Sequence, residues 1–76
     1  MPRLSVEQRI ADAIKDARIE SGISQVKLAE KIGVTDRTIR RVEGGYTSSL
    51  STAIKVCRGV GIRFWEVVKE AEEKYS

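Results

Sequence analysis

At 76 residues, with 41% hydrophobic and 33% charged side chains, the chain has the composition of one small globular domain with a modest core. No apolar run approaches the roughly 18 residues a membrane span needs, and the opening MPRLSVEQRI lacks the apolar stretch of a signal peptide, so a cytoplasmic protein is expected. With no histidine, a single cysteine and no phosphate-cradling glycine loop, the sequence offers no recognisable catalytic or metal site, and neither enzyme activity nor a cofactor is expected.

The first helix is expected to start after Ser5, which stands at capping-box spacing from Gln8. Val6, Ile10, Ala13, Ile14 and Ala17 then form an apolar stripe that Gly22 ends. Ser24 is a good N-cap for a second helix running to about Ile32, with Val26, Leu28, Ala29 and Ile32 on its apolar side. Gly33 supplies the positive φ of a sharp turn, and Thr35 caps a third helix of about two turns. Asp36 suits the positive end of that helix, while Gly44 with Gly45 offers a left-handed cap at its other end. Two short helices joined by Gly33 and Val34 make a helix-turn-helix pattern over residues 24 to 45.

Ile39 and Val42 face one way on the third helix and leave Arg37, Arg40 and Arg41 free. The guanidinium fork suits both phosphate oxygens and the edge of guanine, so this helix is shaped to enter the major groove of DNA. Arg37 and Arg41, four residues apart, share one face. A polar loop, Tyr46 to Ser49, leads to a fourth helix with Leu50, Ala53, Ile54, Cys57 and Val60 inward, started by Ser51 or an adjacent hydroxyl and ended by Gly59 and Gly61. Cys57, on that apolar side, reads as a small core residue. Phe64, Trp65, Val67, Val68 and Ala71 give a fifth helix its apolar face, with the polar end EAEEKYS expected to fray; the fourth and fifth helices together span about residues 50 to 74. No segment alternates like a strand, so the fold class expected is all-α, one domain over residues 1 to 76.

Net charge is +3, and its distribution says more than its total. Residues 1 to 23 hold four basic and four acidic groups and cancel, whereas residues 24 to 63 hold eight basic against three acidic groups, net +5. Residues 64 to 76 are net −2. A basic middle centred on the helix-turn-helix is the footprint of a polyanion binder.

The run Ser24, Gln25, Leu28, Ala29, Gly33, Val34, Thr35, Ile39 and Glu43 resembles the pattern of the phage Cro and repressor type of helix-turn-helix domain, the XRE family. The resemblance covers nearly the whole chain and implies a compact five-helix, lambda-repressor-like domain that binds double-stranded DNA, with the third helix in the major groove and the second across the backbone. It implies that Gln25 bonds a phosphate, that Asp36, Arg37 and Arg41 face base edges, and that Thr35, Thr38 and Arg40 hold the backbone. Asp36 could instead favour the helix N-terminus and orient Arg40. Tyr46, Thr47 and Ser49 fall where this family touches phosphates, and Ser49 belongs equally to the cap of the fourth helix.

An Arg late in the first helix and a Glu closing the third pair in relatives, and Arg18 and Glu43 match those positions. Arg63 stands where a capping Ser is common, followed by the adjacent aromatics Phe64 and Trp65. Consecutive residues cannot share one helical face, so one ring can fill the core while the other anchors a homodimer; burial of both in one core is the alternative.

The function expected is a sequence-specific transcriptional regulator, a repressor-like homodimer on a roughly palindromic operator with half-sites about 10 base pairs apart. With the sequence closing soon after the fifth helix, neither a separate oligomerisation or sensor domain nor an effector pocket is expected. A protein-interaction module on the same scaffold is the alternative, against which the three arginines of the third helix argue.

Overall fold

The structure, a computed structural model, describes residues 6–46 and 49–75. Five helices follow in chain order, α1 (Val6–Glu20), α2 (Gln25–Ile32), α3 (Asp36–Glu43), α4 (Leu50–Gly59) and α5 (Phe64–Tyr75), and no strand occurs among the described residues. The proposed capping role of Ser5, and the candidate phosphate contact Thr47, lie outside the described residues.

The chain folds this way because each helix has one apolar stripe and these stripes meet in one place. Ile14, Leu28, Ile39, Val56 and Cys57 are fully buried at the centre, with Ala29, Val42, Ala53, Val60 and Phe64 around them. α1 packs against α3 and α5, α2 against α3 and α4, and α4 against α5. Both short helices of the helix-turn-helix are therefore held from behind.

Their ends are fixed by local chemistry. Ser24 Oγ accepts the Lys27 backbone N–H, and Thr35 Oγ1 accepts that of Thr38, each satisfying a donor the first turn leaves orphaned. Gly33, at φ 77°, lets Val34 N–H reach the Ala29 carbonyl at 2.9 Å and turns the chain sharply between α2 and α3. At the end of α3, Gly45 carries the left-handed conformation at φ 85°, while Gly44 remains right-handed at φ −88°. Gly45 and Tyr46 donate to the carbonyls of Val42 and Arg41, closing the last turn.

Several sequence expectations are corrected by the packing. Val26 is 52% exposed and Leu50 56% exposed, so neither joins the core. Of the hydroxyls offered for the start of α4, Ser49 is the cap, accepting from the Thr52 N–H. Ala11 is buried in α1, whereas Ala13 is only half-buried.

Of the adjacent aromatics, Phe64 enters the core and Trp65 stays 66% exposed, their rings meeting edge to face with centroids 5.2 Å apart. Any contact surface built on this pair therefore rests on Trp65. Burial lifts the Cys57 thiol to about 11, which makes it an apolar filler and not a nucleophile.

Gly59, the last residue of α4, is buried where α4 crosses α2. A β-carbon there would lie 2.7 Å from Ile32 Cγ2 and 2.9 Å from Leu28 Cδ1, closer than real side chains approach. Lys31 Nζ donates to the Gly59 carbonyl at 2.9 Å, tying the end of α2 to the end of α4.

Candidate nucleic-acid interface

α3 is eight residues long, and its two faces differ completely. Ile39 and Val42 are buried against the core, while Arg37, Arg40 and Arg41 are exposed. Asp36, in the first turn, stands 3.2 Å from Arg40 Nη2 across one helical turn, an exposed i,i+4 pair that holds Arg40 along the helix. Arg37 and Arg41 have no ion-pair partner among the described residues, so two guanidinium forks are presented side by side on one face.

At the start of the helix Thr35 and Thr38 lie with their hydroxyls 3.0 Å apart. Thr35 is exposed and Thr38 half-buried, which leaves the Thr35 oxygen at the surface even as it caps α3. At the other end Tyr46 is 73% exposed, its ring lying across Gly44, where a β-carbon would be 3.1 Å from Tyr46 Cδ2. Ser49 Oγ sits 3.0 Å from Ser51 Oγ at the start of α4. Thr35, Arg37, Arg40, Arg41, Tyr46 and Ser51 are all exposed, a mixture of hydroxyls and cations that suits phosphate contact.

Behind this surface is a polar cluster that the sequence suggests only in part. Arg18 Nε donates to Glu43 Oε2 at 2.5 Å and Nη2 to Oε1 at 3.2 Å, with side chains only 12% and 4% exposed. Arg18 Nη1 donates to the Ile23 carbonyl at 2.9 Å. Gln25 Nε2 donates to Glu43 Oε1 at 3.1 Å. The sequence resemblance gives Gln25 to a phosphate and does not connect it with Glu43, 18 residues away; its position at the first turn of α2, beside the loop that also supplies the Ile23 carbonyl, is the one signal pointing there.

Among the described residues no group of three or more His, Cys, Asp or Glu is placed to hold a metal ion, and no helix is long and apolar enough to cross a membrane.

Comparison with known proteins agrees with this architecture. Residues 14–64 match the helix-turn-helix family model. The chain is 38% identical over 61 residues to the uncharacterized HTH-type transcriptional regulator YgzD of Bacillus subtilis, an alignment covering 79% of this chain and 92% of that one. It is 43% identical over 49 residues to an uncharacterized HTH-type transcriptional regulator of Methanothermobacter thermautotrophicus, covering 63% of this chain and 71% of the relative.

Among solved structures, the clp gene regulator ClgR of C. glutamicum superposes with a TM-score of 0.80 at 22% identity, covering 99% of this chain and 97% of that chain. A mutant of the restriction-modification controller protein C.Esp1396I does so with a TM-score of 0.75 at 19% identity, covering 99% of this chain and 100% of the other. At those identities the superpositions speak to the fold, and the family match and the curated relatives to the class. The chain belongs to the XRE type of the helix-turn-helix family, and with it to the DNA-binding transcriptional regulators.

Proposed function

We propose that this chain is a sequence-specific, repressor-type regulator that reads the major groove with α3 and acts as a homodimer. The observation that carries the reading is the outward pair Arg37 and Arg41, opposite the buried Ile39 and Val42. Two forks at that spacing suit the O6 and N7 edges of guanines, and Asp36 at the leading end suits a cytosine amine or the orientation of Arg40. Arg40, Thr35, Thr38, Tyr46 and Ser49 are assigned to phosphates, where they fix register and carry no sequence preference. Residues 1 to 76 act as a single binding unit in this reading.

Trp65 supports the dimer. It stands exposed beside a groove lined by Ile54, Arg58, Ile62 and Arg63, an apolar floor with a cationic rim, and Glu66 beside it supplies the opposite charge. Glu66 lies 3.8 Å from Arg63 of the same chain, and an exchange of this pairing across a two-fold axis would bring two such patches together around Trp65. Such a dimer calls for a roughly palindromic operator with half-sites about 10 base pairs apart.

Selection from random duplexes at defined salt, together with a solution mass measurement, tests the reading. A palindromic consensus and a dimeric mass are expected; a monomer without preference for any duplex overturns it. Against the selected operator, Arg41→Ala should relax preference at one base position by about 1 to 3 kcal/mol. Arg40→Ala should weaken binding to every duplex alike and reduce the salt dependence. Equal losses on operator and random DNA for both variants would remove the division of roles.

A further inference from the structure

We propose that Gln25 is a positioning residue that sets the seat of α3 through Glu43. The inference rests on the DNA-binding reading above and concerns how that site is held.

The Glu43 carboxylate lies at the closing end of α3 and is nearly sealed from solvent, with its side chain 4% exposed. A buried carboxylate requires donors on both oxygens. Oε2 takes the short Arg18 Nε–H bond at 2.5 Å, whereas Oε1 receives Arg18 Nη2 at 3.2 Å and Gln25 Nε2 at 3.1 Å. Oε1 thus takes two donors, one from Arg18 and one from Gln25. Only the nitrogen side of an amide can face a carboxylate, which fixes how the Gln25 group is turned.

The donors come from different elements. Arg18 belongs to α1 and is also held by the Ile23 carbonyl at 2.9 Å; Gln25 opens α2; Glu43 closes α3. Gln25 is thereby the polar tie between the two helices of the helix-turn-helix, at the end opposite the Gly33 turn. The turn fixes where α3 begins. The Gln25 to Glu43 bond fixes where it ends, and two fixed ends define a direction. Arg37 and Arg41 project from a helix of only eight residues, so a small change in its direction moves both guanidinium groups relative to base edges. Bidentate base contacts tolerate little such movement, whereas contacts to phosphates tolerate more.

Without the Gln25 donor, Oε1 would keep only the Arg18 Nη2 bond at 3.2 Å.

The test uses the full chain, Gln25→Ala, Glu43→Gln and the double variant, each measured on the selected operator and on a random duplex at the same salt. If Gln25 positions α3, Gln25→Ala weakens operator binding about tenfold, changes random-duplex binding less than about twofold, and has a much smaller effect on discrimination when Glu43 is already Gln. Equal weakening on both duplexes, or an effect independent of Glu43, overturns the proposal in favour of a phosphate contact.

A merely structural role would lower thermal stability and leave the operator-to-random ratio of the folded protein unchanged, which also overturns it. The Gln25 side-chain amide proton resonances, read by NMR without DNA, are expected to move on Glu43→Gln, and their failure to do so counts against the proposal. Should the unmodified chain prefer no duplex, the DNA reading fails. The NMR and stability arms then still decide whether Gln25 ties α2 to α3.

Discussion

Two guanidinium–carboxylate pairs involve α3, and they differ in span, in geometry and above all in their access to water. Arg18 and Glu43 are 12% and 4% exposed, make two direct bonds, and connect α1 to the far end of α3. Arg40 and Asp36 are 60% and 46% exposed, make one contact at 3.2 Å, and lie on a single helix. Water competes for the second pair and not for the first, so the first is a structural joint and the second an arrangement of surface charge. The same chemistry thus builds the scaffold on one face of the helix and dresses the interface on the other.

The largest way to break this contrast is Glu43→Ala. It leaves Arg18 without its carboxylate in a nearly dry site, and a loss of about 3 kcal/mol is expected, visible as a large fall in Tm. A change below about 1 kcal/mol would place the pair with ordinary surface contacts.

The next effect sharpens the contrast through pH. The Cys57 thiol is raised by burial from 9.0 in the unfolded chain to about 11 in the fold. The folded state therefore holds its proton more tightly, and this contribution, complete below pH 9, is lost as pH climbs to about 11. Denaturant titrations across that range should show a steeper decline for the native protein than for Cys57→Ala, and parallel curves would refute the burial effect. The smallest expected effect is Asp36→Ala, which should change stability by no more than about 0.5 kcal/mol, with the change shrinking further at high salt.

Much of the fold is legible in the sequence because its signals are local. Ser24 and Thr35 cap helices by bonds to residues three positions ahead, and Gly33 turns the chain by its own backbone. α4 is less clearly announced, since a run of hydroxyls before it offers several equivalent caps, and only packing selects Ser49. Val26 misleads because it sits one position outside the stripe of Leu28, Ala29 and Ile32, and one position rotates a side chain by roughly 100°. Leu50 opens α4, and periodicity does not say where a neighbouring surface stops.

The exposed arginines of α3 can be read from the sequence by elimination, once Ile39 and Val42 are assigned inward. The Gln25 bond cannot, because it joins residues 18 apart whose meeting depends on the angle between two helices.

That angle depends also on an atom that is missing. At Gly59 a single hydrogen occupies the place where any other residue carries carbon, and the branch of Ile32 lies against it. Alanine there would act as a wedge between α2 and α4. Since α2 packs against both α3 and α4, under the proposed reading the fidelity with which such a molecule addresses its target would be set partly on the side of the protein that the target never touches.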